Sequence, residues 1–318
     1  NLKQQTNQKN LCLSGGVALN CVANNILLKE SGFENIWVQP ASGDAGSSIG
    51  AALAYLYLHK KKPRIISKTD SMSSSYLGPR FSNKDIKAFL FENNIQNRRI
   101  DYPELIDEIS TSLSKGKIIG WFQDRMEFGP RSLGNRSILA DPRIVDMQKK
   151  LNLKIKFRES FRPFAPSILE DFKTQYFNLK KESPYMLFTR VLNKEFLTNK
   201  VKIKYDSNKM ELLNIKRSKV TSVTHVDNTC RVQTVSKKRN FLFYSLINSF
   251  YKKTNCPILI NTSFNVRGEP IVCNPEDAFK CFMNTEIDIL VLENYLIKKE
   301  DLEKSLFKKF KQINFLPD

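Results

Sequence analysis

Cysteine is sparse in this sequence and follows no recognisable pattern. The six cysteines stand at positions 12, 21, 230, 256, 273 and 281, and no two of them form a C-x-x-C pair. This spacing argues against a disulfide scaffold and against a structural zinc site. A reducing, cytoplasmic location is therefore the expectation.

Long apolar runs are also lacking. The best one, residues 49–58, has about half of the roughly 20 residues that a membrane-spanning helix requires. No secretory signal pattern stands at the start, so we expect no membrane partner. The first residue is Asn rather than Met, and we expect the chain to be a fragment of a longer protein.

Acidic residues are outnumbered, with 32 Asp and Glu against 51 Lys and Arg and a formal charge of +19. Anionic substrates suit such a charge, and nucleic acid is the alternative. Much of the excess is Lys scattered beside Asn, Ile and Phe, which is typical of a general compositional bias. We therefore treat the charge as weak evidence for nucleic acid. The 41% hydrophobic content predicts a globular protein. The length of 318 residues is sufficient for one large domain or two ordinary ones.

The segment 120–137 carries the densest chemical information. It contains three arginines, Arg125, Arg131 and Arg136, among Trp, Phe, Gly and Pro. Between Arg125 and Arg162 there are ten Lys or Arg against four Asp or Glu. Because a guanidinium donates two parallel hydrogen bonds, such a segment favours a rigid pocket for phosphate or carboxylate oxygens. A solvated basic face is the alternative, and the lack of a helical Lys/Glu spacing disfavours it.

The hydrophobic pattern predicts an α/β protein. Near the start, a strand, a glycine turn and a helix occur twice, with strands at 11–13 and 36–38 and helices ending near Glu30 and His59. A polar break at 67–80 predicts a linker. Further helices and strands are predicted later in the chain: helices at 82–92, 103–115, 241–252 and from Asn274, and strands at 117–122, 258–261 and 287–292. The Lys-rich segment 197–220 is expected to be a surface excursion.

Two glycine turns near the start are candidate phosphate sites. Gly15 and Gly16 allow a backbone to approach a phosphate, and Asn20 can reach a sugar or base, although a simple tight turn is equally consistent. Gly43 and Asp44 place a carboxylate at a helix N-terminus, where an ordinary N-cap is the simpler interpretation.

Farther along, Lys156-x-Arg158 and Ser263-x-Asn265 combine cations with neutral hydrogen-bonding side chains. Strand alternation and a turn are their structural alternatives. Alternation also puts Arg231 and Gln233 on one strand face. His225 could serve as an acid–base group, and a structural pair with Asp227 is an almost equal alternative.

Four motifs together resemble one family. They are residues 15–21 with 43–46, residues 120–137 with 156–166, residues 225–235, and residues 261–270. In this order they resemble the C-terminal part of the O-carbamoyltransferases, which include nodulation-factor, cephem and tobramycin carbamoyltransferases. The resemblance covers nearly the whole chain.

The resemblance implies a domain organisation. Residues 1–66 would be the C-terminal end of an actin-like (ASKHA) ATPase domain, 67–80 a linker, and 81–318 a YrdC-like α/β domain. Gly15, Gly16, Asn20 and Gly43 would then line a nucleotide pocket. Asp44 would be one ligand of a catalytic Fe²⁺. The family's other metal ligands come from an upstream His-x-x-x-His motif, whereas this chain has only His59 and His225. The iron site is thus expected to be incomplete.

The resemblance also implies a reaction. Carbamoyl phosphate and ATP, with Mg²⁺, would give carbamoyl adenylate, and the carbamoyl group would then pass to a hydroxyl of a small molecule or sugar. Ser263, Asn265 and Lys156 would hold nucleotide, and six cations would handle the anions: Arg125, Arg131, Lys156, Arg158, Arg231 and Arg267. Two rivals remain, namely a relative that makes threonylcarbamoyl adenylate for tRNA modification and a basic nucleic-acid-binding protein.

Overall fold

The computed structural model describes residues 1–67, 70–198 and 215–310, and it is α/β. The helices in these ranges are α1 (Leu2–Thr6), α2 (Cys21–Glu30), α3 (Asp44–Ala54), α4 (Asn83–Glu92), α5 (Tyr102–Ser114), α6 (Met147–Lys154), α7 (Lys173–Phe177), α8 (Phe241–Thr254), α9 (Pro275–Met283) and α10 (Lys304–Lys309). The strands are β1 (Asn10–Leu13), β2 (Asn35–Val38), β3 (Arg98–Arg99), β4 (Ile119–Phe122), β5 (Arg136–Ala140), β6 (Ala165–Leu169), β7 (Thr189–Val191), β8 (Thr229–Arg231), β9 (Gln233–Val235), β10 (Ile258–Ser263), β11 (Ile289–Leu292) and β12 (Tyr295–Lys298).

A mixed sheet forms the centre of the molecule. Among the described residues its eight strands run in the order β3-β12-β11-β4-β5-β10-β6-β9. The pairs β11–β4 and β6–β9 are parallel, and the remaining neighbours are antiparallel. The strands β4, β5, β6 and β11 are buried along their whole length, as central strands covered on both faces are.

Helices cover this sheet and complete its core. α5 packs on α8, α8 contacts β6 and β10, and α9 packs on β4 and β11. Large side chains such as Trp121, Phe243 and Phe279 are fully buried among them. Burying side chains of this size is the main stabilising contribution to such a core. No helix in the described part of the chain is long and apolar enough to cross a membrane.

The N-terminal part adds a small parallel sheet. β1 pairs with β2 in register from Asn10↔Asn35 to Leu13↔Val38, with α2 as the crossover. A second apolar cluster joins this part to the large sheet, and it includes Ala18, Val38, Met72, Leu133 and Leu187. The Asn24 amide, which is buried, donates to the Leu187 carbonyl oxygen at 3.0 Å.

Most predicted helices and strands are present. The α/β class is confirmed, and so are the helix starts at Ser82 and Asn274, where each cap forms a reciprocal pair with an Asp three residues later. The assignment of the two parts to actin-like and YrdC-like domains, with a boundary near 67–80, stays a prediction.

Two local predictions need correction. The helix after Gly15-Gly16 begins later than expected, because residues 16–19 form a 3₁₀ turn and α2 starts after Asn20. The segment 197–220 lies partly outside the described residues. Its described end is not a surface excursion, since Arg217, Ser218 and Val220 are buried. Hydrogen bonds among Ser218, Thr221 and Thr224 satisfy the polar groups there.

Candidate functional site

The register of β10 explains why distant motifs meet. β10 runs antiparallel to both β5 and β6, so that its last residue Ser263 lies beside Ser137 at the start of β5. Asn261 lies beside Ala165 at the start of β6. The loops that precede β5 and β6 carry the arginine-rich motifs. One end of three adjacent strands therefore gathers residues from three separate sequence segments.

The two short motifs face one another here. The Lys156 ammonium donates to the Ser263 hydroxyl at 3.1 Å, to the Asn265 carbonyl oxygen at 3.0 Å and to Asn265 Oδ1 at 2.8 Å, and it also contacts the Ser263 carbonyl oxygen. Lys156 is almost fully buried, and burial lowers its pKa to about 7. Because Lys156 is buried, it fixes the Ser263–Asn265 turn from the interior of the protein.

A cavity of about 270 Å³ opens next to this turn. Its lining residues are Pro130, Arg131, Ser132, Arg158, Arg162, Pro163, Phe164, Ala165, Met186, Arg231, Asn261, Thr262 and Ser263. Four of these are arginines, and none of the described residues that line it is acidic. Its volume lies near the lower end of small-molecule pockets. We expect a small anion to fill it, with any larger group extending outside.

The arginines of the cavity repel one another. Burial, together with the charges of Arg131 and Arg158, lowers the pKa of Arg231 to about 10. Burial and the charge of Arg162 likewise lower the pKa of Arg158 to about 10. Arg158 and Arg231 still carry their charge at pH 7. Crowded, partly desolvated cations of this kind favour a bound polyanion, because it relieves their repulsion.

Asn152, a buried residue of α6, holds Arg158 in place. Its Oδ1 accepts from Arg158 Nε at 2.7 Å, and its Nδ2 donates to the carbonyl oxygens of Ser160 and Arg162. The Arg158 guanidinium also lies 5.1 Å from the centre of the Phe164 ring. Since Nε is occupied, the two terminal nitrogens are the ones that can meet a ligand. No motif in the sequence pointed to Asn152.

A second residue that the sequence did not reveal organises the loop of Arg131. The buried Glu127 carboxylate accepts from the backbone amides of Leu133 at 2.6 Å, Asn135 at 2.8 Å and Arg136 at 3.4 Å. Burial raises its pKa, and these hydrogen bonds oppose that change. These hydrogen bonds hold the loop 129–136 in place around the Glu127 carboxylate. Glu127 is the one acid of residues 125–140, and that is the only signal the sequence offers.

Other predicted site residues lie elsewhere. Arg125 is exposed and donates to the Gly78 carbonyl oxygen at 3.1 Å. Arg267 faces Glu159 at 4.0 Å, outside the cavity lining. His225 Nδ1 contacts the Thr229 hydroxyl at 3.0 Å, and that hydroxyl donates to Asp227 at 2.7 Å. A threonine thus separates the predicted histidine–aspartate pair.

The first glycine turn lies close to the cavity. Arg131 donates to the Leu19 carbonyl oxygen at 3.4 Å. Asn20, however, caps α2, because its Oδ1 accepts from the amides of Val22 and Ala23. Gly15 has a φ of 96°, which suits the tight turn considered above. Gly16 begins the 3₁₀ turn that follows.

Asp44 does not belong to a metal site in this structure. It stands exposed in the first turn of α3, after Gly43 as the N-cap. Within residues 1–67, 70–198 and 215–310, no three His, Cys, Asp or Glu side chains come together as metal ligands. The described residues therefore do not by themselves fit an iron ion.

Comparison with known proteins identifies the family. Residues 110–299 match the family model of the carbamoyltransferase C-terminus, and residues 1–53 match that of the carbamoyltransferase N-terminus. The chain belongs to the carbamoyltransferase family. The resemblance drawn from the four motifs is thus confirmed.

Proteins similar to this chain occur in several bacteria. An uncharacterised protein of Synechocystis is 51% identical over 294 residues, which are 92% of this chain and 48% of that protein. Nodulation protein NolO of Bradyrhizobium diazoefficiens is 39% identical over 305 residues, 93% of this chain and 50% of that protein. Nodulation protein U of Rhizobium tropici is 32% identical over 273 residues, 86% of this chain and 41% of that protein. The chain spans about half the length of these relatives.

Among solved structures, full-length HypF is similar over 62% of this chain and 21% of its own length, with a TM-score of 0.35 and 15% identity. A likeness at this level supports no argument about function.

Proposed function

We propose that this carbamoyltransferase chain carries the site where carbamoyl phosphate and ATP form carbamoyl adenylate. The observation that supports it most is the acid-free cavity with four arginines. In the first step water hydrolyses carbamoyl phosphate to carbamate and phosphate. A carbamate oxygen then attacks the α-phosphorus of ATP, the bond to the β-phosphate oxygen breaks, and pyrophosphate leaves.

The arginines suit this chemistry because negative charge is concentrated where phosphoryl oxygens meet a carbamate. Arg131, Arg158 and Arg231 would stabilise that charge without reorganising. Asn152 already fixes Arg158, and the Glu127 carboxylate fixes the loop that carries Arg131. Preorganised cations of this kind supply much of the rate enhancement in phosphoryl transfer. Ser263 and Asn265 would contact the nucleotide, which would bring Mg²⁺ with it.

The second half-reaction would take place in a longer protein that contains this chain. There the carbamoyl group would pass from the adenylate to a hydroxyl of a small molecule or sugar, and AMP would leave. Asp44 of this chain would contribute one carboxylate to an Fe²⁺ site that needs further ligands from outside this chain, and such an ion would supply Lewis-acid polarisation of the acceptor hydroxyl. The Gly15–Gly16 turn would contribute part of a nucleotide pocket.

Isotope exchange tests the first half-reaction. The chain should catalyse exchange of labelled pyrophosphate into ATP only when carbamoyl phosphate and Mg²⁺ are both present. Arg98→Ala is a matched control, because this exposed arginine lies in β3 at the opposite end of the sheet order from β6 and β9. It should leave the exchange rate unchanged. Exchange that ignores carbamoyl phosphate, or none in folded protein, would refute the proposal.

A further inference from the structure

Three buried polar side chains form a hydrogen-bonded network, and one of them, Asn261, lines the arginine cavity. They are Ser167 of β6, Gln233 of β9 and Asn261 of β10. The Ser167 hydroxyl donates to Gln233 Oε1 at 2.5 Å, and Asn261 Nδ2 lies 3.0 Å from both Gln233 Oε1 and the Ser167 oxygen. Strand register brings them together, because Ser167 pairs with Gln233 and β10 pairs with β6.

The hydrogen bonds of this network determine which way each amide points. Gln233 Nε2 donates to the Leu133 carbonyl oxygen at 2.7 Å, and a carbonyl oxygen can only accept. Gln233 Oε1 must therefore face Asn261, whose nitrogen is the group that can donate to it. Turning the Asn261 amide over would set two oxygens against each other. Asn261 Oδ1 is thus directed away from the network.

Asn261 Oδ1 has no hydrogen-bond partner among the described residues. Asn261 is fully buried and belongs to the lining of the arginine cavity. A buried acceptor without a donor is unfavourable, so a ligand that brings an N–H group to it is favoured. The arginines that line the cavity provide hydrogen-bond donors for the negatively charged part of such a ligand. A matching ligand is consequently an anion that also carries an N–H donor.

We propose that Asn261 is a specificity-determining residue whose Oδ1 accepts a hydrogen bond from the amino group of carbamoyl phosphate. This inference rests on the proposed function only in taking carbamoyl phosphate as the ligand of the cavity. Acetyl phosphate has the same phosphate and carbonyl groups, with a methyl group in place of the amino group. A methyl group there leaves the acceptor unpaired, and sites that hydrogen-bond a substrate N–H strongly reject analogues without it.

Calorimetric titration of the chain with carbamoyl phosphate and with acetyl phosphate tests the proposal. The wild type should bind carbamoyl phosphate at least about tenfold more tightly, the size of one hydrogen bond to a buried acceptor. Asn261→Ala should reduce this ratio to about threefold or less, mostly by weakening carbamoyl phosphate binding. Asn261→Ser provides a second, more polar variant if the alanine variant does not fold.

Ser167→Ala is the matched control. It removes a hydroxyl of the same network, yet the bond between Gln233 and Asn261 still directs Oδ1 away from the network. The ratio should stay at the wild-type value. Equal binding of both phosphates by the wild type would overturn the proposal, as would an unchanged ratio in a folded Asn261 variant.

The titration and the exchange assay together distinguish a failure of this inference from a failure of the proposed reaction. If the chain prefers carbamoyl phosphate through Asn261 but catalyses no pyrophosphate exchange, the adenylate chemistry is wrong and the inference stands. If it binds neither phosphate, both are wrong.

Discussion

Three arginines within twelve residues occupy three different environments. Arg125 is exposed, whereas Arg131 lines the cavity. Arg136 is fully buried, and it donates to the carbonyl oxygens of Gln123 at 2.6 Å, Asn135 and Asp124 at 3.1 Å, and Pro79 at 3.2 Å. Its guanidinium also lies 3.5 Å from the centre of the Phe122 ring. A cation so engaged cannot meet a ligand, so Arg136 stabilises the loop and Arg131 is the one available for binding.

Arg158 gives the clearest residue-scale prediction. Arg158→Ala should lower the rate of pyrophosphate exchange by on the order of 10²-fold or more, the usual cost of losing one preorganised donor. Arg158→Lys should restore it only in part, because an ammonium cannot reproduce the two parallel bonds of the guanidinium or the bond to Asn152. The exchange assay measures both variants. A rate within about threefold of the wild type in the alanine variant would exclude this role, since that ratio is only about 0.7 kcal/mol.

Lys156 makes stability depend on pH. Burial lowers its pKa from 10.5 to about 7. Between these values the unfolded chain binds more protons than the folded one, so its contribution to the free energy of unfolding rises with pH. Relative to Lys156→Met, the wild type should gain up to about 1.4 kcal/mol per pH unit above pH 7. Urea unfolding of both proteins near pH 7 and near pH 9.5 measures this. A difference that does not change with pH would contradict the lowered pKa.

At the scale of elements, the loop before β5 depends on a glycine that packs against α8. Gly134 has a φ of 115°, and a Cβ there would lie 2.3 Å from Cδ1 of the buried Phe243 ring. Gly134→Ala should lower the free energy of unfolding by about 2 kcal/mol or more, through backbone strain and overpacking. Gly50→Ala is the control, because Gly50 lies within α3 with open space around its Cα. It should be neutral or stabilising by about 0.5–1 kcal/mol. Equal effects of both variants in urea unfolding would refute the role of the loop.

The sequence predicted elements where local chemistry determines them. Ser82 with Asp85 and Asn274 with Asp277 form the expected caps, since a cap involves only neighbouring residues. The resemblance implied that Lys156, Ser263 and Asn265 hold nucleotide together, and the structure brings these three residues into contact. The different environments of the three arginines, Arg125, Arg131 and Arg136, could not be predicted from the sequence. They depend on which way each side chain points relative to Phe122 and the Glu127 carboxylate.

The polar network of Ser167, Gln233 and Asn261 was equally hidden. Its members lie on three strands, and only the pairing of β6 with β9 and β10 brings them together. Asn152 likewise carries no signal in a helix rich in polar residues. Long-range strand register, which a single sequence does not specify, therefore decides the finer parts of the site.

At the scale of the whole molecule, the chain covers only about half the length of its relatives, and this leads to an expectation about its activity. The chain spans 48% of the Synechocystis protein and 50% of NolO, and its described residues assemble no metal-binding group. The chain alone should form carbamoyl adenylate but transfer no carbamoyl group. Asp44→Asn should not change pyrophosphate exchange. Mass spectrometry of sugar and aminoglycoside alcohols incubated with the chain, Fe²⁺, ATP and carbamoyl phosphate checks this. A carbamoylated product would mean that a transfer site is already complete here.

The central claim is that the arginine cavity binds the reacting anions, and a crystal structure of the chain with carbamoyl phosphate and a non-hydrolysable ATP analogue tests it most directly. We predict phosphate density contacting Arg131, Arg158 and Arg231, with the nucleotide adjoining Ser263 and Asn265. Phosphate density elsewhere, for example in the lysine-lined cavity beside Lys115, Lys117 and Lys298, with the arginine cavity empty, would contradict the claim.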